Sequence, residues 1–513
     1  MNRRNNVGNS TPLTMILRIY VLLIGMGLPV IVRHQYFDIL ATKYYFYCIC
    51  TVIMLISSIC FIAVKDMDIL DKGFWKRLTV QEYAVLLFLL TSIVSTLSSD
   101  YLFESFWGNE GRLTGLFLLS LYVLSYFFVS RFLVYRNYYI DGILASGIFV
   151  CLFGITDYFR MDIFLFKENV ILDQLHMFTS TIGNINSYTA YVGMITAIST
   201  TLFAIIEEKK RVLLYYLCMV INFFAMVMGV SDNAYLSLAA LLGFLPLYLF
   251  STRRGVQRYL IILSTFFTVV QLTAWLNLYF KDAVIGIDGV FTLITNSGML
   301  LYLIVALWGL VFLWHIVECK MGSKEKEYGK RFQYMWLILL LLVSLFTLYV
   351  LYDCNISSNV QKYGALDNYL IFDDEWGTHR GYIWRNAIEQ FSEFPIWKKL
   401  VGSGPETFGI LLMRKTYRNP YNEVFDAAHN EYLQLLLTIG IIGVASYMTF
   451  VLAYIKRCFR CRDKNPHIIA IVLAVICYSV QAFVNLNVPV VAPFFWLLLG
   501  MGAALSKPNI REK

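Results

Sequence analysis

The chain has 513 residues, of which 58% are hydrophobic and 15% are charged. A soluble protein carries about 25% charged residues, so this composition excludes a soluble domain held by a single membrane anchor. The net charge of +8 does not indicate nucleic-acid binding, because the basic residues are spread over many short loops and form no single patch.

Apolar stretches long enough to cross a bilayer recur along the whole chain. They predict an all-α, polytopic integral membrane protein with about fourteen (12–14) transmembrane helices. The first stretch is interpreted as a spanning helix, because no small-residue cleavage site of a signal peptide follows it. The predicted spans cover residues 13–32, 43–64, 80–98, 113–130, 138–158, 186–206, 212–229, 233–250, 259–276, 290–316, 332–352, 430–455, 468–486 and 490–506.

The distribution of lysine and arginine predicts the orientation of these spans. If the N-terminus is cytoplasmic, the inside loops hold 27 of these residues and the short outside loops hold 6, as the positive-inside rule requires. Both termini are then cytoplasmic. The predicted organisation is one integrated membrane domain: helices 1–11 in residues 1–352, an extracytoplasmic catalytic loop in 353–429, and helices 12–14 in 430–513.

The long loop at 353–429 contains one clear helical pattern. Apolar residues recur at helical spacing between Gly381 and Phe391. Thr378 is the predicted N-cap of this helix, and Pro395 is its predicted stop. A helix of this kind lies at the membrane surface or covers the spans.

The most chemically suggestive residues lie where the long loop enters the twelfth predicted span. His429, Asn430 and Glu431 are adjacent there. One interpretation is that these polar residues only mark the interface and cap a helix. The other is that His429 faces a cavity, where its imidazole accepts a proton from a hydroxyl group or orients it.

Two arginines of the loop helix are candidates for binding an anion. Arg380 begins the helix and can clamp a phosphate or diphosphate with its planar fork. Arg385 lies five residues further on, so the two side chains do not share one face closely. Either side chain can instead reach toward lipid head groups.

Shorter outside segments supply three further candidates. Arg112 is a lone cation on the side where cations are scarce, which favours an anionic ligand. Asn184 and Asn186 open the sixth predicted span, where their amides can bind sugar hydroxyls or simply cap the helix.

Other motifs do not support metal or nucleotide chemistry. Gly402-Ser-Gly404-Pro405 predicts a tight turn but no phosphate loop, and no nucleotide fingerprint occurs. Cys458-x-x-Cys461 lacks the second ligand pair of a zinc site. We expect Asp373, Asp374 and Glu375 to form a solvated acidic run, and we expect no cofactor and no metal.

Six segments occur in an order that is typical of one family of membrane glycosyltransferases. They are Gly183-Asn184-Ile-Asn186, Arg380-Gly-Tyr-Ile-Trp384, Pro395, Val401-Gly-Ser-Gly404, His429-Asn430-x-x-Leu433 and Gly440-Ile-Ile-Gly443. This order resembles the O-antigen ligase and O-antigen polymerase superfamily. One departure is Ser231-Asp232-Asn233, where the family commonly has a Ser-Arg pair. One expected phosphate contact is therefore missing, and Arg112 is a substitute for it.

The resemblance implies a donor glycan on polyprenyl (undecaprenyl) diphosphate at the outer face of the membrane. The glycan is transferred to a hydroxyl of a glycan or lipid acceptor, and no nucleotide sugar or metal takes part. His429 and Arg380 are then catalytic. The residues assigned to substrate binding are Arg112, Asn184, Asn186, Arg385, Asn430 and Glu431.

The expected partners are thus the lipid-linked glycan, its acceptor and membrane lipid, with no nucleic acid. A flippase for lipid-linked oligosaccharides, or another polytopic transporter, is the alternative function. Transporters usually place polar groups near the membrane midplane, whereas the predicted spans here are nearly free of charge. A non-catalytic membrane scaffold is a third possibility.

Overall fold

A computed structural model describes residues 12–65, 78–109, 111–287, 289–321, 328–357 and 362–507. Within these residues, β-structure is confined to one short antiparallel hairpin, with strands β1 (Phe178–Thr179) and β2 (Gly183–Asn184). All other regular elements are helical. The α-helices are α1 (Pro12–Val30), α2 (Ile39–Val64), α3 (Val80–Leu97), α4 (Leu102–Trp107), α5 (Leu116–Phe132), α6 (Tyr138–Tyr158), α7 (Ile185–Ile205), α8 (Lys209–Val227), α9 (Asn233–Leu249), α10 (Arg253–Tyr279), α11 (Gly289–Asn296), α12 (Leu300–Met321), α13 (Arg331–Asn355), α14 (Asp367–Leu370), α15 (Trp376–Glu393), α16 (Ile396–Val401), α17 (Phe408–Lys415), α18 (Glu431–Arg460), α19 (Pro466–Gln481) and α20 (Ala492–Leu505).

Eleven of the described helices are long and apolar enough to cross a membrane. Three shorter apolar helices, α5, α9 and α20, coincide with the three remaining predicted spans. The prediction of an all-α polytopic membrane protein is therefore confirmed. Hydrocarbon offers no hydrogen-bond partners. Helices are favoured there because each backbone polar group finds its partner within the same segment.

One predicted span is interrupted, so its prediction as a single helix is wrong. The stretch 290–316 is not a single helix, because α11 ends at Asn296 and α12 begins only at Leu300. Gly298 lies between them at φ +68°, a conformation that glycine adopts without steric cost. The span prediction passed over this interruption, although three polar residues, Thr295, Asn296 and Ser297, precede the glycine.

The core of the molecule forms around α7 and α19, the two most deeply buried of the long spans. Small residues of α7 let its neighbours approach closely. A Cβ added at Gly193, for example, would lie 2.7 Å from the Ser237 hydroxyl of α9. Ser237 in turn donates a hydrogen bond to the Gln481 side chain of α19 at 2.7 Å, so three helices meet at this point.

Helices α12 and α13 are the opposite case, because only 6% of their spanning stretches is buried. α13 is attached near one end, where Trp336 Nε1 donates to the Gly243 carbonyl at 2.8 Å. At the other end, Asn355 Nδ2 donates to the Leu370 carbonyl at 2.8 Å. Between these contacts, side chains such as Phe346 are exposed on every face, so this surface is available to lipid.

The long loop (residues 353–429) contains α14 to α17, and its apolar side chains pack on the start of α18. α15 begins at Trp376, and its first turn holds three residues at positive φ, including Thr378 at +57°. Thr378 is therefore not an N-cap, and its hydroxyl donates to the Gly377 carbonyl instead. The predicted stop at Pro395 is confirmed, because α15 ends two residues earlier.

Helix α18 is broken at Gly440, and the predicted glycine turn docks into the break. Gly440 has φ +75°, which leaves carbonyls of the preceding turn free. The Ser403 amide donates to the Leu437 carbonyl at 3.1 Å, and the Gly404 amide donates to the Thr438 carbonyl at 2.9 Å. The long loop is thereby fixed to a spanning helix shortly after His429.

Candidate active site

His429 lies between the long loop and α18, on a backbone that is held from both sides. Trp384 Nε1 of α15 donates to the Ala428 carbonyl at 2.8 Å. Asn430 Oδ1 accepts from the Leu433 amide at 3.0 Å and so caps α18. His429 itself has φ +46°, a conformation that costs free energy for a residue with a side chain. The contacts of the neighbouring residues therefore fix the position of the His429 imidazole.

A cavity of about 480 Å³, called here the His429 cavity, brings four of the predicted site residues together. His429, Arg112, Asn184 and Asn186 line it. The rest of its lining is largely apolar, and a cavity lined by both polar and apolar side chains fits an amphiphilic ligand. The apolar part of the lining, called here the apolar wall, consists of Tyr36, Phe37, Ile39, Leu40, Ala41, Met177, Phe178, Ile182, Leu486, Val488 and Val490.

Two arginines flank the imidazole of His429, and they differ in their partners. The Arg112 guanidinium donates to both carboxylate oxygens of Asp426, at 3.2 and 3.3 Å. The Arg380 guanidinium makes no hydrogen bond or ion pair within the described part of the chain; the negative charge of Asp232 acts on it from nearby. Arg380 is therefore a partly buried cation that lacks a direct counterion.

The surroundings of His429 lower its pKa to about 4. Burial is the largest cause, followed by the positive charges of Arg380 and Arg112, while Asp426 acts in the opposite direction. The imidazole is therefore neutral at pH 7 and retains a nitrogen that can accept a proton. Burial also lowers the pKa of Arg380, but a guanidinium stays charged in proteins. The site thus combines a neutral base with two cations.

The position that departs from the family pattern lies close to this site. Asp232 stands where a Ser-Arg pair is common, and its charge acts on Arg380. Its carboxylate also accepts a hydrogen bond from the Tyr369 hydroxyl at 3.4 Å. The chain therefore has an acid here in place of a cation, and Arg112 supplies the second positive charge from another segment.

Asn184 and Asn186 cap a helix and also line the His429 cavity, so the two interpretations do not exclude each other. Asn184 Oδ1 accepts from the Asn186 amide at 2.9 Å and thereby caps α7. Asn186 Oδ1 accepts from the Ser231 hydroxyl at 2.7 Å. The side-chain nitrogens of both asparagines make no hydrogen bond with the described residues, so they remain available as donors.

Four predicted site residues do not line the His429 cavity: Arg380 lies near His429 without lining the cavity, and the other three have partners elsewhere. Arg385 forms an exposed ion pair with Asp374, at 2.9 and 2.6 Å, which lowers the pKa of that carboxyl. Asn430 is occupied as the cap of α18. Glu431 is buried in α18 and accepts hydrogen bonds from Tyr447, Tyr478 and Asn487. It lines a separate cavity of about 40 Å³.

The sequence alone did not single out two acids that hold the Arg112 segment. Asp426 pairs with Arg112 across 314 residues of sequence. Glu406 is fully buried and accepts from the amide of Thr114 at 3.0 Å and from its hydroxyl. Burial raises the pKa of Glu406 to about 7. In the sequence, only their positions marked these two acids: Glu406 directly follows the glycine turn, and Asp426 lies three residues before His429.

Asp157 holds the apolar wall of the His429 cavity in place. Its carboxylate accepts from the Ser180 amide at 2.6 Å and from the Tyr36 hydroxyl at 3.3 Å. It also pairs with Lys167 at 3.3 Å. The loop after α1 and the β-hairpin are therefore tied to the end of α6, which fixes part of the apolar wall.

The described residues contain no group of three or more His, Cys, Asp and Glu side chains that could hold a metal ion. The absence of a cofactor stays a prediction. The site residues that are brought together are a base, two guanidinium groups and two amides. Such a set can bind an anion and accept a proton.

Comparison with known proteins gives one match. Residues 283–448 match the family model described as O-Antigen ligase, and no curated protein matches the chain. The matched segment contains Arg380, His429 and the contact between the glycine turn and α18. The resemblance seen in the sequence is confirmed over this segment, which is about a third of the chain: the protein is a multi-pass membrane protein with a segment similar to O-antigen ligases.

Proposed function

We propose that the protein transfers or polymerises a glycan from a polyprenyl-diphosphate carrier onto an acceptor hydroxyl. The reaction takes place at the outer face of the cytoplasmic membrane and serves the assembly of a cell-surface polysaccharide. One observation carries the proposal: a neutral histidine near two guanidinium groups lines a cavity that has both polar and apolar lining residues.

The two arginines hold the diphosphate of the donor. Arg380 has no direct counterion, so a bound diphosphate oxygen would supply one, and Arg112 adds a second positive charge. During transfer the bond between the sugar carbon and the diphosphate oxygen breaks, and the electron pair stays on the diphosphate. The guanidinium groups stabilise this developing charge. The carrier therefore leaves as polyprenyl diphosphate without the need for a metal.

His429 takes the proton that the acceptor hydroxyl loses as its oxygen bonds to the sugar carbon. A base must be unprotonated to do so, which the low pKa of His429 ensures at neutral pH. The side-chain amides of Asn184 and Asn186 donate to sugar hydroxyls. Asn430 acts by capping α18 next to His429, and Glu431 acts by tying α18 to α19. Arg385 remains a candidate contact for a substrate group outside the cavity.

The orientation belongs to the same proposal. The bias of lysine and arginine toward one set of loops supports cytoplasmic termini and an extracytoplasmic long loop (353–429), flanked by the membrane segments 1–352 and 430–513. Lipid-linked sugars displayed outside the cytoplasm would then reach His429, whereas nucleotide sugars would not.

The first test is the His429→Ala variant in producing cells that lack the native copy. We expect loss of polymerised or ligated glycan, because no other neutral base lines the cavity, while the amount of membrane-inserted protein stays normal. His176→Ala is the matched control, since His176 is exposed. Normal glycan from the His429→Ala cells would contradict the proposal. If the purified protein moved labelled lipid-linked sugar across vesicles without transferring it, the flippase alternative would replace it.

A further inference from the structure

A second cavity, of about 310 Å³, lies entirely in the long loop and is called here the loop cavity. It is formed by the end of α17 and the segment that follows it. None of its lining residues lines the His429 cavity. The side chains that matter below are Tyr417, Arg418, Asn422 and Glu423.

The loop cavity is held open by contacts within the loop. The Asn419 side chain donates to the carbonyls of Thr416 and Glu423 at 3.1 and 2.7 Å. It also accepts from the amides of Tyr421 and Glu423 at 3.0 and 3.4 Å. His379 of α15 stacks on the Tyr421 ring at 3.9 Å. A ligand would therefore bind a formed site and would not have to order a flexible segment.

The groups that face the loop cavity are largely unused by the protein. The Tyr417 side chain is 77% exposed, and the Arg418 guanidinium lies 5.8 Å from the centre of its ring. The Arg418 guanidinium and the side-chain amide of Asn422 make no hydrogen bond or ion pair with residues that the structure describes. An aromatic face beside free donors and acceptors suits a ring that has apolar faces and a hydroxyl-rich edge. A sugar has this chemistry.

The charges of the loop cavity favour a neutral ligand over an anionic one. The cavity is lined by one cation, Arg418, and by one acid, Glu423, whose Oε2 is hydrogen-bonded to His379 Nδ1 at 3.0 Å. The surroundings of His429 differ, because the positive charges of Arg112 and Arg380 both act on the imidazole, against the negative charge of Asp426, while Asp38 also lines the cavity. The two cavities are therefore suited to different parts of one ligand, the diphosphate end and the neutral sugar end.

The two cavities are also close along the chain. Phe425 lines the loop cavity, Asp426 binds Arg112, and His429 lines its own cavity. Four residues of extended chain span at most about 14 Å. A short oligosaccharide with its reacting end at His429 can therefore extend toward the loop cavity.

We propose that the loop cavity is a second glycan-binding subsite, which holds neutral sugar units remote from the bond that is formed or broken. The proposal rests on the proposed function of the His429 cavity. It adds that affinity for the glycan comes in part from Tyr417 and Arg418, outside the reacting centre. Binding energy of this kind positions the reacting end of the substrate.

The test uses the full-length protein and the oligosaccharide that mild acid releases from the lipid-linked pool of the producing cells. This probe lacks the diphosphate, so its binding does not depend on the two arginines of the His429 cavity. We expect the double variant Tyr417→Ala, Arg418→Gln to bind it about tenfold more weakly, because a stacking face and a charge-assisted donor are lost. Trp397→Ala is the matched control, since Trp397 is another exposed aromatic residue of the long loop.

The outcomes separate this proposal from the function itself. If His429→Ala abolishes cellular glycan while the double variant binds the released oligosaccharide like the wild type, only the subsite is overturned. The subsite is also overturned if the double variant changes activity with the lipid composition of vesicles and leaves oligosaccharide binding unchanged, which would make Tyr417 a membrane contact. Retained binding by Tyr417→Phe, together with loss in Tyr417→Ala, would support stacking on the ring.

Discussion

Arg380 and Arg385 lie five residues apart on α15, yet their surroundings differ in every respect that matters for binding. Arg380 is partly buried, has no direct counterion within the described residues and lowers the pKa of His429. Arg385 is exposed and paired with Asp374. The sequence could identify both as candidates, but it could not separate them, because the acids near them come from different parts of the chain.

These two arginines give a matched pair of variants. Arg380→Gln should lower kcat/KM for the lipid-linked donor by about 100-fold, the effect of removing one group that stabilises developing charge. Arg385→Gln should change it by less than about twofold, because an exposed ion pair contributes about 0–1 kcal/mol. Transfer measured with extracted donor in membranes checks both. Equal losses in the two variants would show that Arg385 also contacts the substrate.

The pH dependence of the reaction should report the charges around His429. Since its pKa is near 4, kcat/KM should stay constant as the pH falls to about 5 and decline only below that value. Arg380→Gln removes a repulsive positive charge, which favours the protonated imidazole and raises the pKa toward its ordinary 6.5. The acidic limb of the profile should therefore move to higher pH. An unmoved limb would mean that another group sets it.

Glu406 should make the stability of the protein depend on pH. Its pKa of about 7 in the folded protein lies above the ordinary 4.5, so the folded state holds a proton that the unfolded chain releases. This contribution to stability is present below about pH 4.5 and is lost as the pH rises to about 7. Glu406→Gln should remove it, which thermal unfolding in detergent at pH 5 and pH 8 would detect as a smaller difference between the two midpoints.

At the scale of elements, the break in α18 determines how the long loop meets the membrane helices. The glycines on both sides are in close backbone contact, since a Cβ at Gly440 would lie 2.4 Å from the Leu400 carbonyl. Ser95 of α3 donates to the Thr438 carbonyl at 2.6 Å, so the freed carbonyls are satisfied. The sequence predicted a turn at 402–404, but hydropathy gave no reason to expect that a spanning helix opens to receive it.

Gly440→Ala should therefore destabilise the protein. Gly440 has φ +75° and ψ −176°, a conformation that costs a residue with a Cβ about 1–3 kcal/mol, and the backbone contact leaves no room for relaxation. Gly309→Ala in α12 is the control, because nothing lies within 4 Å of a Cβ added there and alanine favours helix. Thermal unfolding in one detergent compares the two variants. If both were neutral, the break would not need glycine.

The ends and interruptions of elements were harder to predict than the elements. The apolar periodicity from Gly381 to Phe391 identified most of α15, and Pro395 its end. The periodicity could not show that the first turn carries positive φ at Thr378, because that depends on packing against distant residues. Gly298 between α11 and α12 escaped notice for a related reason. Hydropathy averaged over a span hides the short polar segment Thr295-Asn296-Ser297 that precedes this glycine.

For the whole molecule, hydrophobicity predicted most of the architecture, because the bilayer requires long apolar helices whatever their neighbours are. The site was only partly predictable. Its residues were found one at a time, whereas their meeting depends on the packing of α5, α7 and α18. No local pattern shows that Arg112 reaches Asp426 across 314 residues.

The orientation can be tested with single cysteines. Tyr417→Cys in the long loop should react with a membrane-impermeant maleimide in intact cells, because the Tyr417 side chain is 77% exposed and the charge bias predicts that the loop lies outside. Arg462→Cys, after α18, should react only after the membrane is permeabilised. The wild-type protein gives the background from native cysteines. The reverse pattern would invert the topology and remove the proposed outer-face chemistry.

The free-standing middle of α13 has a consequence for how this protein can change over time. Its side chains contact few protein atoms, so selection there acts on the length and hydrophobicity of the helix and hardly on the shapes of its side chains. Replacement of one apolar residue by another should be nearly silent in this stretch. Distant relatives can therefore share an apolar composition around α13 without sharing its sequence. The segment between α15 and the break in α18 is the more reliable guide to common ancestry.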